Sequence, residues 1–403
     1  MPSGLRPVVA GRLADACDRL GALAPGDEFD PRVPAALVAA GLHLLPVPAA
    51  AGGLGATMSE SAEVLATLGV LDGSTALGFA MHLHAVGSIG DSAGVPAAPR
   101  DLLYRAIVDD GALVNNASTE EGGGSPARGA IPGTIARPGV AGDGDGRGWQ
   151  LTGEKTWTTW LPALRHAFVS ARIVDGDATG TASAAGDARV EVGTFLVDLE
   201  ADGIERRSGF QAMGMRGSAS GRLRLDGVRV PADALVSRRL AGEPDPRGAA
   251  PGAWFAMAVA AAYLGVGEGA RRAVARWALE RRPGDGSTAV AEIPSVQLRL
   301  GRLDAALRAA RIVLFDATRR WDAAAGDGVA RTGLVPDLAL AKVTATNAAV
   351  SATDDALRIA GGPGFLAGPL ERAFRDARAG LINPPLDDVA LAGFGRAVLE
   401  AAR

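Results

Sequence analysis

The chain has 403 residues, 48% of them hydrophobic, with a mean hydropathy of +0.15 and a formal net charge of −4, enough apolar material for a large core built as two or three packed domains. With 41 Lys and Arg against 45 Asp and Glu, no overall positive field favours nucleic acid or an anionic membrane. Cys17 is the only cysteine, which excludes an internal disulfide framework and a thiolate metal cluster and agrees with a reducing cytoplasm. The first thirty residues lack a signal-peptide core. No uninterrupted apolar run reaches the roughly 18 residues of a spanning helix, and the Ala-rich stretch 254–266 is too short. A cytoplasmic protein without membrane or nucleic-acid partners is the expectation, and no metal site is expected.

From Gly11 to about Arg105, apolar residues recur at three-and-four spacing, as in 33–45 and 59–71, punctuated by the turn at 52–55. An all-helical first domain, residues 1–111, is predicted. Over 112–240 the texture changes to short alternating runs such as Leu223, Leu225, Val228 and Val230 between Gly, Asp and Pro clusters, which predicts a β domain. Within it, 126–148 and 175–187 are rich in Gly, Ala and Asp and read as surface loops. After a polar linker at 243–251, helical periods return over 254–282, 294–321, 336–360 and 386–402. This is the pattern of an antiparallel four-helix bundle filling residues 250–403. The fold class expected is α+β, mainly α.

Several separate segments carry a resemblance. Ala117-Ser118-Thr119-Glu120-Glu121-Gly122-Gly123-Gly124-Ser125 has glycines that let backbone N–H groups approach an anion or a polar ring edge, beside hydroxyls. Gly153-Glu154-Lys155-Thr156-Trp157-Thr158-Thr159 sets an aromatic face beside hydroxyls. Met213-Gly214-Met215-Arg216-Gly217-Ser218 is followed by Leu223-Arg224-Leu225-Asp226-Gly227-Val228-Arg229-Val230-Pro231, and Gly361-Gly362-Pro363-Gly364 comes later. Across nearly its whole length the chain resembles flavoproteins of the acyl-CoA dehydrogenase superfamily, including its flavin-dependent monooxygenase branch. The fold this implies is an N-terminal helical domain, a middle β-barrel or sheet domain and a C-terminal four-helix bundle.

The resemblance implies a flavin, FAD before FMN, met by Ser118, Thr119, Ser125, Trp157, Thr158 and Thr159, with Asp388 at a polar contact. Arg281, Gln297, Arg358, Gly361 and Gly362 match positions that reach a neighbouring subunit's dinucleotide, which implies a homotetramer or homodimer. Arg281 shares its slot with Arg282, and Arg216 is expected to hold the strand crossover together.

The pattern breaks at the base. An acyl-CoA dehydrogenase removes an α-proton with a carboxylate, and aligning Arg378-Ala379-Gly380 with the family places that Glu at Pro384, followed by Pro385 and Leu386. The other slot used in the family falls near Trp254 and Phe255, which are expected to narrow the substrate pocket. Asp387 and Asp388 are candidates for a shifted base, although an Asp pair at a helix start is also a cap. His82 and His84 are candidates for an acid or base but lie two apart on a helix, so they do not share a face or form a metal pair.

Losing the carboxylate while keeping the flavin site favours a monooxygenase acting on a small organic substrate, supplied with reduced flavin by a separate reductase. The alternatives are an acyl-CoA or carrier-bound acyl dehydrogenase with a relocated base, served by an electron acceptor and acting on a thioester substrate, and a non-catalytic flavin-binding or scaffold protein.

Overall fold

A computed structural model describes residues 4–122, 130–139, 148–174, 190–207, 209–284 and 286–403. Five helices come first: α1 (Pro7–Leu23), α2 (Arg32–Ala39), α3 (Met58–Leu71), α4 (Gly73–Gly90) and α5 (Ala97–Asp110). Helix α3 starts where Thr57 and Glu60 cap each other's backbone N–H groups, and α4 starts where the Asp72 carboxylate accepts from Thr75 N–H. The periodic run 33–45 is divided, because Gly41 takes φ 74° and the chain passes into a short 3-10 turn at Leu42–Leu44. Helix α4 is apolar on every side and buried along Gly73–Ile89, which makes it the central helix of this region.

Among the described residues eight strands follow: β1 (Val114–Ala117), β2 (Ile135–Gly139), β3 (Gly148–Thr158), β4 (His166–Ile173), β5 (Glu191–Asp198), β6 (Ile204–Arg207), β7 (Gly221–Pro231) and β8 (Leu235–Leu240). They form one sheet in the order β6-β7-β3-β2-β4-β5-β8, with β1 added in parallel on β4. The expected inward residues Leu223, Leu225, Val228 and Val230 are buried on β7. Their change of parity comes at Gly227, φ 65°, where the register against β3 shifts and one extra residue is absorbed as a bulge. The 126–148 loop expectation is corrected in part, since β2 lies inside it and pairs with β3 and β4. Its Gly and Pro content masked a strand that depends on its neighbours. Residues 126–129 and 140–147 of that segment, the segment 175–187 and the expected contact Ser125 lie outside the described residues.

The chain ends in α6 (Ala250–Glu280), α7 (Pro294–Ala323), α8 (Gly328–Gly333), α9 (Val335–Ala360), α10 (Gly362–Phe365), α11 (Pro369–Arg378) and α12 (Asp387–Ala401). Long helices α6, α7 and α9 pack together, and α3 and α4 lie against α6. The contact between α3 and α6 runs through glycine, since a Cβ on Gly69 would stand 2.5 Å from the Ala262 carbonyl oxygen. Helix α6 is longer than the Ala-rich run suggested. By length and composition it is apolar enough to cross a membrane, and 83% of its apolar window is buried among the other helices, as expected of a core helix.

Candidate active site

A cleft of about 1360 Å³ opens between the sheet, α4, α6 and the link from α11 to α12. The loop after β1 forms one wall. Its anchor is Glu120, whose carboxylate accepts from Gly133 N–H, Thr134 N–H and Thr134 Oγ1 and meets Lys155 Nζ at 2.5 Å. Burial alone would raise the Glu120 pKa, but Lys155 and the Thr134 donors hold it below the ordinary value. Lys155 is fully buried and also donates to the Ser170 carbonyl at 2.6 Å. The pair therefore pins the loop and leaves Ser118 and Thr119 facing the cleft. Thr156 N–H donates to the Thr119 carbonyl at 2.8 Å, tying the loop to β3.

At the end of β3, Trp157 adopts φ 58° and remains 56% exposed, its ring in edge contact with Phe210 at 5.7 Å. A left-handed backbone at a non-glycine residue costs energy and persists only where its surroundings enforce it. Here it turns the indole into the cleft. Trp160 repeats the device at φ 57°, and its ring fills the space left by Gly78, where a Cβ would stand 2.0 Å away. Thr159 lines the cleft and its hydroxyl meets Ser220 Oγ at 2.9 Å, while Ser220 meets Ser218 Oγ at 2.9 Å. Thr158, expected beside the flavin, is fully buried with its hydroxyl unpartnered, and its side chain is outside the cleft lining.

The two histidines separate as their spacing requires. His82 is a core residue: Nδ1 accepts from Val114 N–H at 3.2 Å and Nε2 meets the His43 carbonyl at 2.9 Å, which removes it from the catalytic candidates. His84 lines the cleft, its ring nitrogens 3.2–3.3 Å from Asn116 Nδ2 and its ring in edge contact with Phe255 at 5.0 Å. Burial, helped by the charge of Arg247, pushes its pKa down to about 3, so the imidazole is neutral. Phe255 lines the cleft, but Trp254, the other expected pocket residue, does not; it faces the core and its indole N–H donates to Asp91 Oδ2 at 2.8 Å. Neighbouring residues on a helix point about 100° apart, so only one of the two reaches the chamber.

Pro384, Pro385 and Leu386 stand on the cleft wall. Asp387 and Asp388 do not line it. Asp387 is held by Lys342 Nζ at 3.1 Å and Asn347 Nδ2 at 2.6 Å, and Asp388 is exposed. Among the described residues the cleft carboxylates are Glu120, Glu121 and Asp245, each paired with a cation: Lys155 at 2.5 Å, Arg222 at 2.5 Å and Arg247 at 2.7 Å. Arg281, Gln297, Arg358, Gly361 and Gly362 are exposed and lie off this cleft; Arg358 pairs with Asp354 at 2.7 Å. Sequence reasoning missed Asn115, Asn116, Phe210, Tyr263 and Asn383. Two consecutive Asn in a short apolar strand were the one available signal, because buried amides need partners.

Family models match residues 115–228 (acyl-CoA dehydrogenase, middle domain) and 257–382 (acyl-CoA dehydrogenase, C-terminal domain). The chain is 34% identical over 386 residues to the putative acyl-CoA dehydrogenase YdbM of Bacillus subtilis (strain 168), covering 94% of this chain and 93% of that protein. It is 28% identical over 396 residues to the L-evernosamine nitrososynthase of a Micromonospora species, covering 95% and 85%. A solved structure of KijD3 in complex with FMN and dTDP-3-amino-2,3,6-trideoxy-4-keto-3-methyl-D-glucose shares the fold, with a TM-score of 0.81, 24% identity and coverage of 99% and 95%. The chain belongs to the acyl-CoA dehydrogenase family of flavin-dependent oxidoreductases.

Proposed function

We propose that this chain is a flavin-dependent monooxygenase of a small organic substrate. The observation that carries the reading is the cleft wall itself: the segment aligned with the family's base presents Pro384, Pro385 and Leu386, and each cleft carboxylate among the described residues is held by a cation. Proline takes no proton, and an ion-paired carboxylate is a weakened base. The likeness to a nitrososynthase supports the same side of the family.

The donor set fits a flavin. The open indole of Trp157 suits a flat apolar ring, and the hydroxyls of Ser118, Thr119 and Thr159 suit its polar edge. A bound flavin would supply the electrons that activate dioxygen. The protein's part is to bind, orient and exclude water: Leu77, Met81 and Phe255 make an apolar chamber, and neutral His84 with Asn116 offers hydrogen bonds. FAD is proposed over FMN, with Arg281, Gln297, Arg358, Gly361 and Gly362 reaching the dinucleotide of a second copy in a homotetramer or homodimer. A separate reductase would supply reduced flavin.

The second reading, an acyl-CoA dehydrogenase with a relocated base, is favoured by the identity to YdbM. An anaerobic visible spectrum of the purified protein, before and after short, branched and long acyl-CoA thioesters, separates the two. The expected result is a persistent flavin spectrum with every thioester, together with dioxygen consumption once the flavin is reduced. Bleaching by any thioester would overturn the oxygenase reading, and chromatography of the released flavin decides FAD or FMN.

A further inference from the structure

The link between α11 and α12 does more than lack a base. Tyr263, on α6, is fully buried, and its hydroxyl donates to Asn383 Oδ1 at 3.0 Å. The ring is clamped in place: a Cβ on Gly380 would stand 3.1 Å from it and 2.9 Å from Thr346 Cγ2. Burial raises the Tyr263 pKa above its ordinary value, so the hydroxyl stays protonated and is a standing donor. An amide whose oxygen is taken up in this way turns its NH2 group the other way. Asn383 lines the cleft, is only partly buried, and makes no other side-chain hydrogen bond among the described residues. On the same wall, Arg378 lies over the Phe374 ring at 4.3 Å and has no carboxylate within ion-pair distance among the described residues. The remaining cleft residues of the link, Ala379, Ile382, Pro384, Pro385 and Leu386, add no side-chain acceptor.

We infer that Asn383, aimed by Tyr263, and Arg378 form a donor-only subsite for an oxygen atom of the substrate that carries full or developing negative charge, as in a phenolate, an enolate or a carboxylate. A carboxylate at this wall would accept a proton; an amide NH2 and a guanidinium instead stabilise negative charge already present, without a proton changing hands. The inference rests on the reading of this cleft as the substrate chamber, and it narrows the substrate from any small organic molecule to one with an acceptor oxygen. Asn383 is assigned the contact and Tyr263 the role of a positioning residue.

The test uses the flavin-loaded protein and two probes, 4-nitrophenol and benzoate. For wild type, 4-nitrophenol should bind as the yellow phenolate, with its ionisation moved down by about one pH unit on binding, the equivalent of a tenfold preference for the anion. Asn383→Ala should weaken both anions about tenfold, the loss of a hydrogen bond to a charged group. Asn383→Asp, nearly the same shape but an acceptor, should weaken them further and move the bound 4-nitrophenol back toward its neutral form. Tyr263→Phe, which frees the amide to turn, should reproduce part of the Asn383→Ala loss while the flavin spectrum stays unchanged. No binding of either probe, preference for the neutral phenol, or equal anion binding by wild type, Asn383→Ala and Asn383→Asp would overturn the subsite. Thioester bleaching accompanied by these anion shifts would sink the oxygenase reading alone.

Discussion

At the scale of single residues, the cleft is governed by which polar groups are satisfied and which are left to a ligand. His84 and His82 are buried and neutral, with pKa values pushed down to about 3 and about 4 mainly by burial. The unfolded chain takes up protons at both from pH 6.5 downward before the folded chain does, so their contribution to stability is complete above that value and is lost as pH falls toward about 4 for His82 and about 3 for His84. Asp376 has the opposite sign. Burial raises it to about 6, so the folded state takes up its proton first and gains stability as pH falls from 6 toward 3.8. Two histidines outweigh one aspartate. The expected outcome is a lower Tm at pH 5 than at pH 7, with a steeper fall in Asp376→Asn, whose amide oxygen still accepts from Met215 N–H; equal Tm values at the two pH values in both proteins would contradict this account. The role of His82 was not legible in the sequence, because the two histidines share one helix and their fates depend on what packs against each face.

Among the elements, the long helices α6, α7 and α9 of the C-terminal region were predicted from period alone and found within a few residues, because each buries a continuous apolar stripe. Strand β2 was not predicted, since its residues Ile135–Gly139 carry little propensity and are extended only because β3 and β4 lie beside them. Helix α12 shows how an element is docked. It buries only Ala390, and Asp387 at its start ties it to α9 through fully buried Lys342 and through Asn347. Asp387→Ala should cost about 2 kcal/mol, because it strands the Lys342 ammonium away from water; denaturant unfolding measures it. Helix α4 tolerates change even less: Gly78→Ala drives a methyl group into Trp160, and a loss of about 1–3 kcal/mol together with weaker flavin retention is expected from thermal unfolding and from the spectrum of the purified variant.

For the whole molecule, the helical and β regions are joined by a buried charge cluster around Arg372 of α11. Its guanidinium reaches Asp72 at the start of α4, the Pro25 carbonyl at 2.8 Å and Asp376 at 3.6 Å, and Asp376 accepts from Met215 N–H on the wall of the cleft. Arg372→Met would leave two buried carboxylates without their cation, and a loss of about 3–5 kcal/mol is expected from equilibrium unfolding. Flavin retention should fall with it, since the same cluster holds the cleft wall. The sequence by itself determined the order of helices, sheet and helices and singled out short motifs, those around Thr119, Trp157 and Pro384, that line the cleft, because periodicity and short motifs act over neighbouring residues. Only the tertiary structure decided that Phe255 and not Trp254 reaches the chamber, that Glu120 is spent on Lys155, and that Tyr263 turns Asn383, because each of these depends on side chains brought together from distant parts of the chain.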